Sequence, residues 1–145
     1  MEIIQLLKKD YDKLLNFIQE ENNSFPVPLS DRVDLDSYVD KLLNNAVVYG
    51  INDMNELCGI ICYYKNNFID KKAYLSYLCI KKEYRGKKAG QKLLDIMTSD
   101  CQKDHFKSII LETNKNNKIA RNFYEKNGFV LIKEEINSVF YEKNI

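Results

Sequence analysis

The sequence predicts an α/β fold, with a mixed, mostly antiparallel sheet and helices on both faces. Three observations carry this. Apolar residues make up 45% of the 145 positions, enough for a core in a chain the size of one compact domain. The spacing of those residues switches repeatedly between strand and helix periods, in the order β-α-α-β-β-β-α-β-α-β-β. Two short polar connections, Asn52-Asp53 and Lys65-Asn66-Asn67, suit hairpins and make the strands that they join antiparallel. Residues 1–145 are therefore expected to form one domain.

The elements follow in order. Glu2 to Leu7 reads as a first strand. Asp10 is placed to cap a helix whose apolar stripe is Leu14, Leu15, Phe17 and Ile18. Asn22 to Ser30 holds both prolines and must be irregular. A second helix carries Leu35, Tyr38, Val39, Leu42 and Leu43, with Ser30 or Asp31 as its candidate cap. Three strands are expected over Ala46–Asn52, Leu57–Tyr64 and Ala73–Ile80. After Gly86 the period turns helical, with Leu93, Leu94, Met97 and Cys101 on one side, to about His105. Ser108–Glu112 is a strand, and Lys118–Lys126 a helix stopped by Asn127-Gly128. Phe129–Ile136 and Val139–Glu142 close the chain as strands.

Composition excludes several classes of function. Basic and acidic residues nearly cancel, 22 against 21, so a nucleic-acid binder is not expected. The longest apolar runs are a few residues, far short of the roughly 20 of a membrane span. The N-terminus lacks a basic start and a long apolar stretch, so the expected location is cytoplasmic. Cys58, Cys62, Cys79 and Cys101 form no CxxC pair and no metal-ligand grouping with His105. They read as buried thiols in a reducing compartment. The even spacing of Cys58 and Cys62 predicts one shared face.

The chemistry concentrates between Tyr74 and Phe129. A strand ending at Ile80 runs into Arg85-Gly86-Lys87-Lys88-Ala89-Gly90 and then into a helix. Small residues allow a ligand close to the backbone. The first helical turn offers unpaired N–H groups and the positive end of the dipole, an anion site suited to a pyrophosphate. Neither GxxxxGK[ST] nor GxGxxG is present. On these grounds alone a phosphate cradle and a basic helix start stay equally open.

The segment from Ile80 to Leu94 resembles the central [QR]-x-x-G-x-[GA] motif of the GCN5-related N-acetyltransferase (GNAT) superfamily. Arg85 and Gly90 match it, and Lys88 stands at the position of its first glycine. Downstream, Asn117, Ala120, Phe123, Tyr124, Gly128 and Phe129 match N-x-x-A-x-x-[FL]-Y-x-x-x-G-F, similar to the superfamily's second block. The matches cover about residues 74 to 130.

The resemblance implies a GNAT-like fold and transfer of acetyl from acetyl-CoA to a primary amine by direct attack in a ternary complex. It implies that the strand before the turn splays from its neighbour, and that Leu78-Cys79-Ile80 pairs with the pantetheine arm. The oxyanion donor then lies at or near Leu78 or Cys79. Arg85, Gly86, Lys87, Lys88, Ala89 and Gly90 sit under the pyrophosphate, and Asn117 contacts the cofactor. A glycine position can demand a positive φ, which would strain Lys88.

Such an acceptor amine, with a pKa near 10.4, is neutral in roughly one molecule in a thousand at pH 7, so a proton must be removed. Glu112, an acid within the apolar strand Ile109-Ile110-Leu111-Glu112, is the candidate base; Glu83 and Tyr77 are alternatives. Tyr124 is the implied acid for the departing thiolate. Acceptor specificity points to the proline loop, where Phe25 offers a wall, Asp31 a partner for an amine and Arg32 one for a carboxylate or phosphate. A small-molecule amine is the leading acceptor. A protein N-terminus or lysine, or a non-catalytic acyl-CoA sensor, is the alternative. A homodimer formed through the strand Val139–Glu142 is compatible with the sequence.

Overall fold

The computed structural model describes all residues, Met1–Ile145. Seven strands form one sheet: β1 (Glu2–Gln5), β2 (Val47–Asp53), β3 (Glu56–Tyr64), β4 (Lys72–Ile80), β5 (Ser108–Asn114), β6 (Val130–Glu134) and β7 (Ser138–Asn144). Their spatial order is β1-β2-β3-β4-β5-β7-β6. Every pairing is antiparallel except β4 with β5. That parallel step is bridged by α3 (Ala89–Lys103), as a parallel connection requires a crossover.

Two apolar clusters sandwich the sheet. On one face α1 (Tyr11–Glu20) and α2 (Leu35–Asn45) bury Leu14, Phe17, Ile18, Val39 and Leu42. On the other, α3 and α4 (Lys118–Lys126) bury Leu93, Leu94, Met97 and Tyr124. Helices thus lie on both faces, as the pattern predicted. No helix is long and apolar enough to cross a membrane.

Several local expectations change. The Asp10 carboxylate does not cap α1; it accepts from the Leu7 N–H, 2.9 Å away, and closes a preceding 3-10 turn. The cap of α2 is Asp34, which accepts from the Ser37 N–H at 3.1 Å, rather than Ser30 or Asp31. The link from β3 to β4 spans Lys65–Lys71 and is longer than a tight hairpin turn. Val139–Glu142 lies in β7, hydrogen-bonded to β5 on one side and β6 on the other. Both its edges are consumed, so it has none to offer a second copy.

Two β-bulges redirect side chains, since one extra residue reverses which face follows. Asn52 pairs with Leu57 and Ile51 with Gly59, leaving Cys58 as the extra residue in β3. Cys58 therefore joins the α3 side and Cys62 the α1 side, against the expectation of one face. In β4, Leu75 pairs with Tyr63 and Tyr77 with Cys62, so Ser76 is extra. Ala73 and Leu75 face α3, whereas Tyr77 and Cys79 face α1.

The second bulge positions the site. Pairing of β4 with β5 runs from Lys72–Ser108 to Leu75–Leu111 and stops there. From Ser76 to Ile80 the strands diverge, and β4 presents an unpaired edge to the gap.

Candidate active site

Two clefts meet in that gap. The first, about 640 Å³, runs along Leu78, Cys79 and Ile80 to the turn before α3. Arg85, Gly86, Lys88, Ala89 and Gly90 line it, as does Asn117. At its far end the first intrahelical bond of α3 joins the Lys92 N–H to the Lys88 carbonyl, so the preceding amides of Ala89, Gly90 and Gln91 have no helical partner. Gly86 and Lys88 both take positive φ, +80° and +62°. The strain foreseen for Lys88 is present.

The basic stretch divides by role. Lys81 is held by Glu20 at 2.9 Å and Glu56 at 3.0 Å. Lys87 lies over the Tyr84 ring, 5.5 Å from its centroid, and does not line the cleft. Arg85 donates from Nε to the Ile80 carbonyl at 3.0 Å, which fixes its stem to the strand end. Arg85 and Lys88 therefore remain as turn cations facing the cleft, joined by Lys126 from α4. The sequence reading missed Lys126, which looked like an ordinary basic helix end.

The second cleft, about 580 Å³, lies on the α1–α2 side. The proline loop supplies Phe25 and Arg32; β4 supplies Tyr74 and Tyr77; β5 supplies Glu112. Tyr38, Asn114, Asn137 and Ser138 also line it and were not foreseen, because they come from three separate stretches. Asp31 is exposed and lines neither cleft, and neither does Glu83. Phe25 packs on the Tyr77 ring at 5.6 Å between centroids.

Phe25, Leu78, Asn117, Ala120 and Tyr124 line both clefts. Asn117 caps α4, its Oδ1 accepting from the Ala120 N–H at 3.2 Å, and this holds the helix start at the junction. Tyr124 is 7% exposed and packs edge-on against Phe123 and Phe129, each 5.5 Å away. Its helix is tied to β7 by a chain in which Arg121 Nε donates to the Tyr141 hydroxyl at 3.0 Å and that hydroxyl donates to Glu125 at 2.5 Å. Burial pushes the Tyr124 hydroxyl well above the ordinary tyrosine value, so it is protonated at neutral pH. Burial likewise raises Tyr77, whose hydroxyl has no hydrogen-bond partner. The Cys79 thiol is pushed up to about 12, mainly by burial and then by Glu21, and is not a thiolate.

An open strand edge, a helix start rich in free amides and three cations line one groove; a buried phenol stands where it meets a second. The model of the acetyltransferase (GNAT) family matches residues 12–129. The chain belongs to the GNAT family of acetyltransferases. The first cleft of this GNAT chain has the donor set that a thioester with a pyrophosphate requires. Its fold is similar to that of a GNAT acetyltransferase from Staphylococcus aureus Mu50, with a TM-score of 0.81 and 26% identity over 99% of this chain and 98% of that one. The PaiA N-acetyltransferase of Thermoplasma acidophilum, solved in complex with coenzyme A, gives a TM-score of 0.81 at 24% identity, over 99% of this chain and 98% of that one. N-alpha-acetyltransferase 30 of Saccharomyces cerevisiae is 36% identical over 62 residues, which is 43% of this GNAT chain and 35% of the yeast protein. The chain thus matches about a third of that relative's length.

Proposed function

We propose that residues 1–145 act as one N-acetyltransferase domain that acetylates the primary amine of a small molecule by direct attack in a ternary complex. The observation that carries this is the junction: Leu78, Asn117 and Tyr124 border both the donor cleft and the acceptor cleft. Two substrates in two clefts then meet without a covalent relay, and no thiolate is available for one.

Bound acetyl-CoA supplies the activated acetyl group. The unpaired edge of β4 offers backbone N–H donors, at or near Leu78 or Cys79, to the oxygen that gains negative charge. Arg85, Lys88, Lys126 and the free amides of α3 hold the phosphates. Glu112 accepts the proton of the incoming ammonium, directly or through water. Of the alternatives, Glu83 faces neither cleft, and the raised Tyr77 hydroxyl resists becoming a base. Tyr124, protonated by virtue of its burial, delivers a proton to the departing sulfur.

A second reading, acetylation of a protein N-terminus, is favoured by the likeness to N-alpha-acetyltransferase 30. Free-CoA release measured on a panel of small amines and of peptides with free N-termini tests both, with Tyr124→Phe as control. Release with small amines supports the first reading. Release with peptides alone replaces it by the second. Tight acetyl-CoA binding without release on any amine identifies a sensor instead.

A further inference from the structure

The acceptor cleft carries two opposite charges that the protein itself does not neutralise. Glu112 and Arg32 both line it, one from the end of β5 and the other from the loop before α2. Neither takes part in any ion pair of the chain. Both act on the same atom: the Tyr74 hydroxyl is raised first by burial and next by the Glu112 charge, and is drawn back down by the Arg32 charge. Tyr74 thus shares one cleft with an anion and a cation and feels both. Phe25, Val27, Val33 and Tyr77 give the cleft apolar and aromatic walls, and Asn114, Asn116, Asn137 and Ser138 add uncharged polar groups.

For a simple alkylamine this arrangement is poor, because the guanidinium repels the ammonium that Glu112 attracts. It suits a molecule that bears both charges. We infer that the acceptor is a small amine carrying its own carboxylate beside an apolar side chain, an apolar or aromatic amino acid in chemical terms, with Arg32 receiving the carboxylate. The inference rests on the acetyltransferase reading of the junction. A guanidinium matches a carboxylate with two parallel N–H donors. With the carboxylate at Arg32, the amino group is directed toward Glu112, and the side chain is left to the aromatic walls.

Matched acceptors test this: phenylalanine, phenylalanine amide, 2-phenylethylamine, 2-aminoethyl phosphate and a peptide that starts with phenylalanine. Each is assayed by CoA release with the wild type, Arg32→Gln and Arg32→Glu. Arg32 is exposed and makes no hydrogen bond from its side chain, so the variants are expected to fold, and an unchanged melting temperature checks this. The expected result is a kcat/KM for phenylalanine at least about tenfold above that for its amide and for 2-phenylethylamine, the range supplied by one charged hydrogen bond. Arg32→Gln should abolish that preference through KM, and Arg32→Glu should reverse it. Equal rates on acid, amide and amine in the wild type would overturn the inference while leaving the acetyltransferase reading intact. So would a preference that persists in Arg32→Glu, a better rate on the peptide, or selective use of the phosphate. No release on any of the five, with acetyl-CoA bound, would overturn both.

Discussion

Lys88 sits at φ +62° and ψ +20°, a conformation that costs an ordinary residue roughly 1–2 kcal/mol. It occupies the cap position of α3 without supplying a side-chain cap. The bend there lets the amides of Ala89, Gly90 and Gln91 open on the donor cleft. Lys88→Gly should therefore raise the unfolding free energy by about 0.5–1 kcal/mol, the relieved strain less the extra chain entropy of glycine. The urea midpoint at unchanged slope reads this, and a midpoint below wild type would mean that the lysine side chain offsets its own strain. Tyr124→Phe removes one hydroxyl from a packed site. It should lower kcat by about a hundredfold or more while leaving acetyl-CoA affinity and the melting temperature nearly unchanged. A loss of only a few-fold would remove Tyr124 as the proton donor. Both residues stood out in the sequence because neighbouring motif positions framed them. Lys126 and Tyr38 did not, because a basic helix end and a helical tyrosine acquire a role only when another element brings a cleft to them.

At the level of elements, α4 was legible to the residue. Its stop at Gly128, with φ +87°, is a local signal that survives in sequence, whereas Asn117 was read only as a cofactor contact and its capping of α4 came from the structure. Asn117 also lines both clefts, so its two functions separate by substitution. Asn117→Asp keeps a capping oxygen but loses the amide donor and adds a charge. It should melt close to wild type and bind acetyl-CoA at least several-fold more weakly. Asn117→Ala should lose about 1 kcal/mol of stability as well. If Asp and Ala variants bind acetyl-CoA as tightly as wild type, Asn117 has only a capping role. The bulges were not legible. From Leu57 to Tyr63, β3 is buried on both faces, so every side chain is apolar or absent and no alternation records an inserted Cys58. The cap of α2 was misassigned because Ser30, Asp31 and Asp34 crowd one short segment, and only the backbone path distinguishes them. Gly59 shows how β3 reaches the site. A Cβ there would stand 2.6 Å from Ile80 Cδ1, and Ile80 lines the donor cleft. Gly59→Ala should push that flexible side-chain end aside, at a small cost in stability and a measurable rise in the acetyl-CoA dissociation constant.

For the whole molecule, tyrosine burial sets the alkaline limit. Burial raises Tyr38, Tyr63, Tyr77 and Tyr124 above the ordinary value near 10. The unfolded chain ionises them near that pH, whereas the folded chain holds their protons. Stability from this source is intact below about pH 10 and is lost as the pH rises above it toward the folded values. Tyrosinate absorbance at these sites should appear together with loss of helical circular dichroism. A full tyrosinate signal in a protein that is still folded would contradict the burial. The sheet carries another consequence at this scale. From Ser76 to Ile80, alternate peptide groups of β4 point into the divergence from β5, where no strand covers them. Those few amides should trade their hydrogens for deuterium quickly although they lie mid-sheet, while their neighbours facing β3 stay protected. Acetyl-CoA should slow the fast set selectively. The gap in the sheet would then record occupancy one peptide group at a time, independently of whether an acceptor is ever turned over.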